Sequence, residues 1–128
     1  MFPTAPTRPI SVNMGMEMPG WFDIDHLDEA SFMKMMKGEH GFDPDGTDES
    51  VKYVVDLIEQ EVQSGIPMNR IVLGGFSQGG HVALKALFHK ELTLAGCLAL
   101  STWLEPQKGQ VSCTDNVLKA MYVWAINL

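Results

Sequence analysis

The stretch between Arg70 and Leu100 constrains this chain more than any other. Arg70-Ile71-Val72-Leu73-Gly74 is a short apolar run, and Leu94-Ala95-Gly96-Cys97-Leu98-Ala99-Leu100 is a second. Such runs suit parallel strands buried on both faces. Between them, residues 78–89 place Val82, Ala83, Ala86 and Leu87 on one helical face, and His89 and Lys90 suit the negative end of that helix. Strand, turn, helix and strand make a βαβ unit. A further helix is predicted upstream at about 48–63, where Val51, Val54, Val55, Ile58 and Val62 recur at helical spacing. Thr47 is its expected cap, Asp48 and Glu49 suit its positive end, and Gly65 and Pro67 stop it. The fold class is α/β.

The turn inside the unit reads Gly75-Phe76-Ser77-Gln78-Gly79. A serine hydroxyl is a weak nucleophile and must be presented where a base can reach it. A sharp strand-to-helix turn does this, and it crowds the positions two before and two after the serine, so glycine suits both. The helix also aims its free N–H groups at the site, that of Gln78 above all, where an oxyanion would form. A bare G-x-S-x-G arises by chance in roughly a few per cent of chains of this length. The flanking strand and helix are therefore what give it weight. The competing reading is a glycine-rich turn that packs a helix on a sheet or binds phosphate. No Gly-Lys-Ser/Thr follows, and the glycine spacing is wrong for a dinucleotide site.

Elsewhere the chain is plainer. Pro3, Pro6, Pro9 and Pro19 give residues 2–20 an extended, loop-like path, with a short strand at Ile10-Ser11-Val12. Phe32-Met33-Lys34-Met35-Met36-Lys37 suits a short helix whose methionines fill core gaps. Asp43-Pro44-Asp45-Gly46-Thr47-Asp48 resembles a calcium loop only superficially. Counted from Asp43, the sixth position is Asp48 and the twelfth Val54, where glycine and glutamate are required. No metal and no cofactor are expected. Met121-Tyr122-Val123-Trp124-Ala125-Ile126 reads as a strand or a stub of helix.

At 128 residues the chain is one domain at most, and its net charge of -7 shows no basic face for nucleic acid. Cys97 and Cys113 form no C-x-x-C pair and suit a reducing compartment. No apolar run approaches the ~20 residues of a membrane span. The expectation is a cytoplasmic protein without stable membrane insertion. No feature specifies an oligomeric state.

The segment GIPMNRIVLGGFSQGG, from Gly65 to Gly80, resembles the nucleophile region of acyl-protein thioesterases, of the lysophospholipase/carboxylesterase branch of the α/β-hydrolases. Ala5-Pro6-Thr7-Arg8-Pro9, Met18-Pro19-Gly20-Trp21-Phe22-Asp23 and Leu98-Ala99-Leu100-Ser101 with Trp103-Leu104 are similar to that family too. The resemblance implies a serine esterase or thioesterase acting on acylated proteins or lipid esters. It implies Ser77 as nucleophile, the Gln78 N–H as half of the oxyanion hole, Gly75 and Gly79 as elbow glycines, and Trp21 and Trp103 near the acyl groove.

Residues 1–106 then form the central part of an α/β-hydrolase domain, a partial fold with N- and C-terminal portions missing, and residues 107–128 form a divergent tail. The family's catalytic Asp and His come late in its chain. Here Glu91, Glu105 and Asp115 are the only acids after Ser77, and His81 and His89 the only histidines. Both histidines ride on the helix that leaves the elbow, His89 about 18 Å along its axis at 1.5 Å per residue. Neither is expected to reach Ser77, and His26 and His40 lack the family context. This chain is expected to be inactive alone; the alternative is a fragment that binds acyl chains or a partner without turnover. Poor stability is expected too, because parallel strands need cover on both faces.

Overall fold

The computed structural model describes residues 1–36, 42–89, 92–104 and 120–123. The chain opens with a hairpin. Strand β1 (Thr7–Ile10) pairs antiparallel with β2 (Met16–Pro19), Thr7 opposite Pro19 and Ile10 opposite Met16. The strand expected at Ile10 to Val12 therefore ends at Ile10, and Ser11–Asn13 is a single 3-10 turn. Pro9 and Pro19 are tolerated because the ribbon has only two strands, so prolines can leave their missing N–H facing outward. Met14 and Gly15 both take positive φ (56° and 74°) to reverse the chain.

Helix α1 (Glu29–Met36) follows, and the Asp28 carboxylate accepts from the Ser31 N–H and hydroxyl at its start. Met33 is half exposed rather than core-filling. Helix α2 (Pro44–Gln63) begins a turn earlier than its apolar stripe suggests. Asp43, not Thr47, is its cap, and accepts from the Gly46 N–H at 3.0 Å. Pro44 takes the first helical position, which needs no N–H. Thr47 is buried instead, with its hydroxyl on the Phe42 carbonyl. The acidic, calcium-like loop is the first turn of this helix.

After a 3-10 turn at Met68–Arg70, strand β3 (Val72–Phe76) runs into helix α3 (Gln78–His89) and then β4 (Gly96–Leu100). Of the stretch read as a strand or a stub of helix, Met121 to Val123 lie in strand β5 (Ala120–Val123), parallel to β4, and residues 124–126 lie outside the described residues. The second sheet has the order β3-β4-β5, all parallel. Helix α3 packs on β3 and β4, and α2 on α3. Val51, Val54, Val55 and Ile58 of α2 meet Val82, Ala83, Leu84, Ala86 and Leu87 of α3 in one core with Cys97 and Ala99. That core covers one face of the sheet. On the other, Val72, Phe76 and Leu98 are exposed.

Candidate active site

Strand β3 ends at Phe76 and α3 begins at Gln78, so one residue makes the whole turn. That residue is Ser77, at φ 49°, in the left-handed region that costs an L-residue roughly 1–2 kcal/mol. Three hydrogen bonds hold it there. Its N–H donates to the Leu100 carbonyl at 2.9 Å, so it rides on the end of β4. Its carbonyl accepts from the His81 N–H at 3.1 Å and from the Thr102 hydroxyl at 2.7 Å. Ser77 is left partly exposed at the carboxyl end of the sheet. Ser101, facing it at the end of β4, also has positive φ (46°).

The glycines explain the tightness. A Cβ on Gly75 would lie 2.2 Å from the Gly79 carbonyl oxygen and 2.6 Å from the Gly80 nitrogen, both backbone atoms. A Cβ on Gly80 would meet Thr102 at 2.8 Å and the Gly75 oxygen at 3.1 Å. Gly79 is less confined: its Cβ would lie 3.3 Å from Trp21 Nε1, the edge of a side chain. The helix therefore approaches the strand most closely through Gly75 and Gly80. Sequence reasoning passed over Gly80, although the doubled glycine was a signal for it. Thr102 had no signal at all.

Gln78 holds more than its main chain suggests. Its amide oxygen accepts from the Trp21 N–H at 2.8 Å, and its amide nitrogen donates to the Phe22 carbonyl at 2.7 Å. Ser50 of α2, buried, donates its hydroxyl to the Trp21 carbonyl. The Trp21–Phe22 segment is thus bound to both helices, and Trp21 is set against the first turn of α3.

Trp103 is committed elsewhere. Its ring stacks on His81 with centroids 4.9 Å apart, and Phe22 and Phe42 meet it edge-on. His81 is 1% exposed, and its Nδ1 lies 3.1 Å from the Trp103 carbonyl oxygen. His81 is therefore a packing residue on the core side of α3. His26 sits in the open beside Asp25. His40, Glu91, Glu105, Asp115 and Cys113 lie outside the described residues, as does the side chain of His89. Cys97 is buried, and desolvation pushes its thiol up to about 11. Among the described residues no group of three or more His, Cys, Asp or Glu side chains is placed to hold a metal, and no helix is long and apolar enough to cross a membrane.

Residues 1–123 match the phospholipase/carboxylesterase family model. The chain is 49% identical over 104 residues to acyl-protein thioesterase 1 of Cryptococcus neoformans var. neoformans, covering 81% of this chain and 41% of that one. It is 50% identical, over the same share of this chain and 43% of the other, to acyl-protein thioesterase 1 of Gibberella zeae. The crystal structure of Arabidopsis thaliana SOBER1 superposes with a TM-score of 0.68 at 33% identity, over 80% of this chain and 46% of that one. For Zea mays acyl-protein thioesterase 2 the TM-score is 0.58 at 30% identity, over 80% and 43%. The fold is that of an α/β-hydrolase in part, and the chain spans less than half the length of these relatives.

Proposed function

The chain belongs to the phospholipase/carboxylesterase family, and we propose that it carries the nucleophile of a serine thioesterase or carboxylesterase that removes acyl groups from proteins or lipid esters. In this reading Ser77 Oγ attacks the acyl carbon as a base takes its proton. The charge that develops on the carbonyl oxygen falls to the Gln78 N–H at the head of α3. The acyl-serine then forms as the thiol or alcohol departs, and water releases the fatty acid. Gly75 and Gly79 are the elbow glycines, Trp21 lines the acyl groove, and Trp103 supports it from the core side. A cytoplasmic location belongs to the same proposal, and the free, buried Cys97 suits it.

The observation that supports this most is the left-handed Ser77 between β3 and α3, since a strained, half-exposed serine at a strand-to-helix turn is what nucleophile presentation requires. His81 is turned into the core and so does not serve as the base; in this reading the base and its carboxylate partner are other residues. We infer that the 128-residue chain alone is inactive, since His81 packs into the core and His26 stands in the open beside Asp25.

Two experiments test this. A fluorophosphonate probe should leave Ser77 of this chain unlabelled. Labelling that Ser77→Ala abolishes would overturn the claim that the base comes from elsewhere. The matching 104 residues grafted into the Cryptococcus relative should hydrolyse a palmitoyl thioester in a Ser77-dependent way. A soluble, folded graft without turnover would overturn the hydrolase reading and leave binding without catalysis.

A further inference from the structure

We propose that the Gln78 side chain is a positioning residue: it clamps the Trp21–Phe22 backbone to the head of α3 and so fixes Trp21 as a wall against the first turn of α3, the turn that follows Ser77. The wall's purpose rests on the function proposed above, while the clamp itself does not.

Two hydrogen bonds of opposite polarity make the clamp. A primary amide has an acceptor and a donor on one carbon, and here they bridge the N–H of Trp21 (2.8 Å) and the carbonyl of Phe22 (2.7 Å). No other residue type of that length offers both at neutral pH. The residues joined lie 57 and 56 positions apart in sequence, so nothing local holds them together. Ser50 completes the arrangement from α2 by donating to the Trp21 carbonyl. Phe22 is fully buried beneath, edge-on to His81 and Trp103. Trp21 is only partly buried, and its indole nitrogen lies 3.3 Å from where a Cβ on Gly79 would stand. Gly79 is free of backbone crowding, unlike Gly75 and Gly80, and a side chain there would press on the Trp21 ring. Gln78 thus divides its work. In the proposed function its main-chain N–H serves the reacting oxygen, while its side chain sets the wall.

Fluorine NMR of the whole chain labelled with fluorotryptophan tests the clamp without any need for turnover. Trp21, Trp103 and Trp124 give separate resonances, assigned by single Trp→Phe substitutions. In Gln78→Met, which keeps the length and loses both hydrogen bonds, the Trp21 resonance should move and broaden while that of Trp103 stays. An unmoved Trp21 resonance overturns the proposal. So does joint movement of Trp21 and Trp103, which would make Gln78 a general support of the core. Should Gln78→Met not fold, Gln78→Glu decides by the same criteria, because it retains the acceptor for Trp21 and loses the donor to Phe22. An inactive graft in the palmitoyl-thioester assay would remove the purpose of the wall and leave the Trp21 signature as it is, so the two failures are distinct.

Discussion

Ser77 is held in an unfavourable conformation by its surroundings, and that makes its energetics testable one atom at a time. Glycine adopts positive φ without the clash that an L-residue suffers. Ser77→Gly should therefore be more stable than Ser77→Ala by about 1 kcal/mol, as read by urea unfolding. The two tight glycines and the looser one should separate in the same assay. Gly75→Ala sets a methyl against backbone that cannot yield, and should cost about 3 kcal/mol or prevent folding. Gly79→Ala meets only the movable edge of Trp21 and gains helix propensity. It should stay within about 1 kcal/mol of the parent. Equal losses for both would refute the geometry of the turn. Cys97 gives a chemical check. A buried thiol raised to about 11 is almost wholly protonated at neutral pH, so iodoacetamide should spare it in the folded chain and modify it in urea.

At the scale of elements, two carboxylates tie the hairpin and the first loop to α2. Asp43 caps α2, and its second oxygen accepts from the Asp23 N–H at 2.8 Å and lies 3.6 Å from the Arg8 guanidinium. Asp43→Ala should cost about 1–2 kcal/mol through the cap. Asp43→Asn keeps a capping oxygen and should cost less than half of that, since a half-exposed ion pair is worth little. Asp23 accepts from both the N–H and the hydroxyl of Ser11. Partial burial works to raise its pKa, but the Ser11 bonds and the Ile24 N–H together outweigh this and hold it below the ordinary carboxylate value. A folded pKa below the unfolded one means stabilisation that is present above the unfolded value and fades as pH falls through the folded value. Ser11→Ala should therefore raise the Asp23 pKa, followed by carboxyl NMR titration. Its stability deficit should be seen at neutral pH and shrink in acid. A deficit that grows in acid would contradict the assignment.

For the whole molecule, the decisive feature is a parallel sheet that the described residues cover on one face. Val72, Phe76 and Leu98 stand at 64, 68 and 37% exposure on the other. Parallel sheets are normally covered on both faces. The folded chain should therefore bind an apolar dye such as ANS and unfold at modest temperature. Val72→Lys with Leu98→Lys should reduce dye binding and improve solubility, while the unfolding free energy changes by no more than about 0.5 kcal/mol per site. A cooperative, high-temperature melt of the unaltered chain without dye binding would contradict this.

The amino-acid sequence alone determined the βαβ unit, the serine at its turn and the family, because all three depend on short-range pattern. Apolar runs specify strands, 3.6-residue spacing specifies helices, and a G-x-S-x-G between them has few uses. Helix α3 accordingly begins and ends where its residues predict. The start of α2 did not follow from its apolar stripe, because its cap depends on the Asp43 carboxylate folding back onto Gly46. The hairpin was hidden by prolines that a two-stranded ribbon tolerates. Tertiary structure alone decided that Gly80 and Thr102 close the elbow, that Trp103 stacks on His81 while Trp21 meets α3, and that the Gln78 amide joins residues more than fifty positions away. Those contacts come from segments distant in the chain, and no local spacing records which of them will meet.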